Sequence, residues 1–160
     1  MQSTLVHDRR AALRAEIEAT ADSFRRLVST LPDDAWNCRA PGSSWTGKQL
    51  LHHVAWALEQ LPKEVESAKR GKGMFNYPKL VADSGSYWLV KWEARAATRA
   101  SLGARYDSAT ERVLQALHRT EDTDWTKSAR FYGEGVYSVA DLFGTPASHF
   151  QEHASVFARS

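Results

Sequence analysis

Apolar residues recur at three- and four-residue steps through most of this chain. In the first segment Leu13, Ile17, Phe24, Leu27, Val28 and Leu31 share one helical face, with Arg and Glu between them. The spacing predicts an amphipathic helix from Asp8 to Thr30, stopped by Leu31-Pro32. Pro32 to Ser44 reads as a loop, since Pro41-Gly42-Ser43-Ser44 is strong turn chemistry. A second helix opens near Trp45-Thr46, capped by Ser44 or Thr46, on the stripe Leu50, Val54, Ala57, Leu61, Val65 and Ala68. Pro62 is expected to kink it and Gly71-Lys72-Gly73 to end it. After a longer loop over residues 73–86, a third helix is predicted from Tyr87 to His118. Its stripe is Leu89, Trp92, Ala96, Gly103, Tyr106, Thr110, Val113 and Leu117. Ser128 to Tyr137, which contains Phe131-Tyr132-Gly133-Glu134-Gly135-Val136-Tyr137, reads as a short hairpin or an ordered loop. A last helix starts around Ser138 and runs to the C-terminus, with Gly144-Thr145-Pro146 expected to break it early. Four amphipathic helices in so short a chain predict an all-α fold, a four-helix bundle.

Size and charge narrow the function. At 160 residues the whole chain, 1–160, is expected to be a single domain. Lys and Arg number 21 against 19 Asp and Glu, a net charge of +2. That balance argues against nucleic acid and against an anionic membrane surface as partners. The basic residues of the third helix do not change this, because they are dispersed and lack stacking aromatics on the same face. The first ten residues lack the apolar run of a signal peptide, and no stretch approaches the roughly 18 apolar residues of a membrane span. A cytoplasmic protein is the expectation. The single cysteine, Cys38, excludes an intrachain disulfide and a cysteine-rich zinc module, and its loop offers only Arg39 as an electropositive neighbour. Six histidines stand against it, so a metal held here must be held mainly by imidazole.

Helical phase sorts those histidines. At about 100° per residue with Leu50 as zero, His53 lies about 60° to one side of the apolar stripe and His52 about 160° away, beside Glu59. His53 is therefore expected to point inward and His52 outward. On the last helix His149 and His153 lie about 40° apart on the arc of Leu142 and Val156, one turn from each other. A lone inward histidine is ordinarily a core residue bonded to a carbonyl or hydroxyl. Three of them, two at an i,i+4 spacing, form instead the ligand set of a divalent metal ion, His53, His149 and His153. Three protein ligands leave a coordination position for water or substrate, the pattern of a catalytic metal rather than a structural one. His149 is not followed by Glu, so this is not a His-Glu-x-x-His protease motif. His7 and His118 sit near helix ends and are expected to face solvent.

The same residues carry a family resemblance. Trp45-Thr46-Gly47-Lys48-Gln49-Leu50-Leu51-His52-His53-Val54-Ala55-Trp56 resembles the second-helix signature of the DinB-like superfamily, a Trp-Ser/Thr start leading through Leu-Leu-x-His. His149-Phe150-Gln151-Glu152-His153 is similar to that family's closing His-x-x-x-His. The resemblance implies an up-down-down-up bundle, often a homodimer, with metal ligands at His53, His149 and His153 and zinc or nickel as the ion. Its relatives include bacillithiol-using S-transferases, mycothiol-dependent isomerases and ring-opening hydrolases. It therefore implies a small-molecule substrate, a low-molecular-weight thiol as partner, and a metal-dependent hydrolase or thiol S-transferase. The Gly144-Thr145-Pro146 sequence and the Phe131–Tyr137 loop depart from the usual pattern. The alternative is a non-catalytic dimeric bundle for small-molecule binding or stress response, its histidines structural.

Further side chains bear on a pocket. Arg99 lies within about 20° of Trp92 on the third helix's apolar stripe, and an inward guanidinium needs an anion. That anion is either a substrate carboxylate near the metal or a carboxylate of another helix, with snorkelling past the helix edge as a third outlet. Trp88 is the expected pocket or interface residue and Trp92 the expected core residue. Glu152 projects about 100° from His153 and is expected to face solvent rather than serve as a base. No residue is assigned a catalytic role from the sequence.

Overall fold

The computed structural model describes residues 2–76, 88, 90–133 and 135–159. Four long helices dominate: α1 (Gln2–Thr30), α3 (Gly47–Lys69), α4 (Arg99–Arg119) and α5 (Val139–Ala154). A short α2 (Asp33–Asn37) and a two-stranded antiparallel hairpin, β1 (Ser128–Phe131) with β2 (Gly135–Ser138), complete the frame. The last three long helices open on reciprocal capping boxes, Thr46 with Gln49, Thr98 with Ser101 and Ser138 with Asp141. Each box satisfies backbone donors that a helix N-terminus otherwise leaves bare.

Cross-helix contacts fix the directions. Arg99 at the start of α4 donates to the Val28 carbonyl near the end of α1, and Arg10 near the start of α1 donates to the Thr120 carbonyl just beyond α4. These helices are antiparallel. Lys48 reaches the Arg95 carbonyl and Arg105 binds Glu59, so α3 runs with α4. Phe24 packs on Phe150 and Arg9 pairs with Asp141, so α5 runs with α1. The result is an all-α, up-down-down-up four-helix bundle in which α1 and α3 each pack against both α4 and α5. The core is a run of fully buried side chains from all four helices, among them Phe24, Leu51, Tyr106, Val113, Leu142 and Phe143.

Several elements differ from the periodicity. Helix α1 begins at Gln2 rather than Asp8, and α2 occupies the start of the segment read as loop. The third helix does not run unbroken from Tyr87: a helical turn at 90–93 passes into a 3-10 turn at Ala94–Ala96, and α4 starts afresh after the Thr98 cap. Residues 87 and 89 of that prediction, and 77–86 of the loop predicted before it, lie outside the described residues. The expected break at Gly144-Thr145-Pro146 is absent, and α5 passes through it. Pro146 has no N–H for the Leu142 carbonyl four residues back, but the Thr145 hydroxyl donates to that carbonyl at 2.7 Å. The hydroxyl takes over the missing bond and the helix continues. Helix α3 likewise continues across Pro62. The Phe131–Tyr137 segment is a hairpin, and Met74 forms a parallel bridge with Phe131 along its outer edge. Among the described residues no helix is long and apolar enough to cross a membrane.

Candidate metal centre

His53 comes from the first third of α3, and His149 and His153 from the end of α5. Because α3 and α5 are antiparallel neighbours, these stretches lie at the same end of the bundle. One ring nitrogen from each histidine falls within 4.8 Å of the other two. The Nε2 atoms of His149 and His153 are 3.0 Å apart. Two ligands of one tetrahedral zinc at 2.0–2.1 Å stand about 3.3 Å apart, so this pair is close to a ligating geometry. The His53 ring meets the other two edge-on, at centroid distances of 5.1 and 5.3 Å. Its Nδ1 is buried and has no hydrogen-bond partner among the described residues. An imidazole nitrogen left bare in the interior costs free energy that a cation would recover. The donor set is all-nitrogen and uncharged, which suits zinc, nickel or a similar divalent ion.

Electrostatics keep these donors available. Burial, reinforced by the neighbouring His149 and His153, pushes the His53 imidazolium down to about 3. Burial and His153 bring His149 to about 4, and burial lowers His153. All three rings are neutral at neutral pH, the form that coordinates metal. Each is a base with a folded pKa below its unfolded value. The metal-free protein therefore loses stability as the pH falls from about 6.5 towards 4, at up to about 1.4 kcal/mol per unit for each histidine. Metal uptake should hold to lower pH than at a site of ordinary imidazoles, since burial lowers the pKa of all three rings and weakens proton competition. Thermal unfolding with a chelator present, run across this range, checks the first part; His149→Ala should flatten the acid limb.

Around the triad the walls are aromatic. The Trp45 ring lies 4.9 Å from His53, and Trp56 stacks alongside it at 6.4 Å. Glu152 is exposed and joins no part of the cluster. Arg99 is not with the histidines. It donates to the Val28 carbonyl at 2.6 Å and to Asp33 at 2.9 Å, and its guanidinium covers the Trp36 ring. The protein supplies its anion. Trp88 is exposed, with the Lys91 ammonium over its ring. Trp92, expected in the core, is 69% exposed, because the helical turn at 90–93 is separate from α4 and does not share its phase. His7 and His118 are exposed as expected. A cavity of about 430 Å³ lies at the opposite end of the bundle, lined by Val6, Arg9, Trp125, Thr126, Ser138 and Ala140, and contains none of these donors.

The structure corrects the reading of His52. It is only 3% exposed, and its Nε2 accepts a hydrogen bond from Arg105. Arg105 also grips Glu59 with two bonds of 2.9 and 2.6 Å and stands 3.6 Å from Glu93. Burial, then the Arg105 cation, lowers the His52 pKa. The buried arc of α3 includes Leu51, Ala55 and Leu58 and so extends well past the Leu50 stripe. His53 lies on the flank of that arc towards α5 and His52 on the flank towards α4. Glu59 four residues before Lys63 reads as an ordinary solvated pair, so nothing local announces this ion cluster.

A family model for the DinB superfamily matches residues 16–157. Among solved structures, the mycothiol-dependent maleylpyruvate isomerase is similar in fold, with a TM-score of 0.71 and 13% identity. The alignment covers 91% of this chain and 59% of that one, so this chain spans well under two thirds of its length. A mutant of the same protein aligns with a TM-score of 0.72 at the same identity and coverage. No curated protein sequence matches the chain.

Proposed function

The chain belongs to the DinB superfamily, and from that premise we propose that it is a metal-dependent enzyme joining a low-molecular-weight thiol to a small electrophile. The observation that carries this reading is the convergence of three neutral imidazoles, one with a bare buried nitrogen. His53, His149 and His153 would hold zinc or nickel. The bound ion supplies Lewis acidity, drawing a thiol or water towards its ionised form near neutral pH. Trp45 and Trp56 exclude water beside His53 and offer flat apolar walls to a substrate. In the reaction the thiolate sulfur forms a bond to an electrophilic carbon. The leaving group departs with its electron pair, and the thiol proton passes to solvent. Two features favour thiol chemistry over hydrolysis. Among the described residues no carboxylate joins the triad to act as a base, and the similar structures belong to a thiol-dependent isomerase. On this reading the bundle is one domain over 1–160, active as a cytoplasmic homodimer.

The test loads the protein with zinc or nickel and supplies a low-molecular-weight thiol with a chromogenic haloarene. Metal-dependent conjugation, lost with a chelator and in His53→Ala, is the expected result. Fully loaded protein that hydrolyses activated esters or amides but never consumes thiol would move the assignment to a hydrolase.

A further inference from the structure

At the end of the bundle away from the histidines, the start of α1, the start of α5 and the segment before β1 border the cavity of about 430 Å³. Small-molecule sites are of this size, roughly 300–1,000 Å³. Val6 and Ala140 give it apolar lining, whereas Arg9 and Trp125 bring hydrogen-bond donors. Trp125 is 4% exposed, and its Nε1 is buried with no hydrogen-bond partner among the described residues. The Arg10 guanidinium, 5.4 Å from the ring centroid, and Phe143 at 6.1 Å hold the indole in place. The Nε of Arg10 is likewise buried without a partner among the described residues, while its Nη2 donates to the Thr120 carbonyl at 2.6 Å and to Asp122 at 3.2 Å. Arg9 stands 3.6 Å from Asp141, too far for a hydrogen bond. The other oxygen of that carboxylate already accepts from the Ser138 amide and hydroxyl at 3.0 and 2.6 Å.

We propose that this cavity is a second ligand site, one that takes a small carboxylate on an apolar body. The carboxylate meets Arg9, Arg10 and the Trp125 indole, and the body lies on Val6 and Ala140. The sign of the ligand follows from the donors. Indole and guanidinium nitrogens only donate, so a cation cannot satisfy them. A carboxylate offers about four lone-pair positions, and each guanidinium bond to it is charge-assisted. A buried donor left bare costs free energy that an arriving acceptor restores. The donors are also fixed beforehand, Trp125 by its packing and Arg10 by Thr120 and Asp122, so binding orders little. The carboxylates of this end are engaged within the fold: Asp122 by Arg10, Asp124 by Lys127 and Asp141 by Ser138. The site shares no residue with the three histidines, so it stands whether or not they hold a metal.

Proton–nitrogen resonance spectra of the protein titrated with 3-phenylpropionate test it. The Trp125 indole signal, identified by its connectivity to the Trp125 backbone, should move downfield and saturate with a Kd of about 1 mM or tighter. The amides of Val6 and Ala140 should move with it, while the Trp45 and Trp56 indoles beside His53 stay still. Arg9→Gln removes the cation from a half-exposed position and should weaken binding on the order of tenfold. The neutral 3-phenylpropanol keeps the apolar body without the charge and should bind more weakly than the acid by a similar factor. A Trp125 signal that stays still up to about 10 mM ligand, as it would if water alone served the donors, overturns the proposal. So does equal affinity for the acid and the alcohol, or an affinity unchanged in Arg9→Gln. Shifts confined to the Trp45 and Trp56 indoles put the ligand at the histidine end and overturn it as well.

Discussion

His53→Ala should bind zinc or nickel on the order of 100-fold more weakly than the natural protein, or weaker still. His53 is the only ligand from α3; without it the i,i+4 pair on α5 is left to hold the ion on one side. The wild-type protein, purified without a histidine tag, should carry close to one ion per chain. Metal at a hundred times its dissociation constant should stabilise it by about 2.7 kcal/mol, and a chelator should remove that increment. The adjacent residue provides the control. His52 faces Arg105 on the opposite flank of the helix, so His52→Ala should leave the stoichiometry intact. Its cost falls on stability, about 1–3 kcal/mol, because Arg105 loses a buried acceptor. Calorimetric titration and metal analysis of the three proteins decide the matter. Less than about 0.2 ion per chain in the loaded wild type, with no change in His53→Ala, would remove the metal site from consideration.

The contrast between these neighbours also marks how far the sequence could be read. A periodic stripe reports the face that meets the bundle axis, and on that ground the four helices and the inward set of His53, His149 and His153 were legible. It does not report how wide the buried arc is. Helix α3 packs against both α4 and α5, so the burial spreads past the stripe and takes in His52 on one side and Glu64 on the other. The partner of His52 is not local: Arg105 lies 53 positions away. Trp92 illustrates the opposite error. Its spacing to Ala96 and Gly103 continues a helical phase, but the chain leaves that phase at Ala94–Ala96 and the indole faces out. Pro146 was legible only as a missing donor, since the compensating Thr145 hydroxyl depends on a rotamer the sequence does not state. Arg99 carried three readings, and the Asp33 carboxylate with the Val28 carbonyl now accounts for its donors.

Packing at the centre of the bundle should matter as much as the ligands themselves. Phe24→Ala is expected to cost about 3–5 kcal/mol, a large part of the roughly 5–15 kcal/mol that holds a domain of this kind folded. The Phe24 side chain has no exposed surface. Its ring stacks on Tyr106 of α4 at 3.8 Å and leans on Phe150 of α5 at 6.1 Å. One side chain from α1 therefore anchors two other helices, and its removal opens a cavity that those helices, fixed at their far ends, cannot close. Phe150 follows His149 directly, so loosened packing there should reach the site: Phe24→Ala should also bind metal more weakly, although no ligand has changed. Phe24→Leu keeps most of the volume and should cost less than about 1.5 kcal/mol with affinity near normal. Urea unfolding of the metal-free variants checks the first effect, a lower midpoint at an unchanged slope. Titration with zinc under conditions where each variant is folded checks the second. A Phe24→Ala loss below about 1 kcal/mol would mean that the cavity collapses and that α1 does not brace the histidine end of α5.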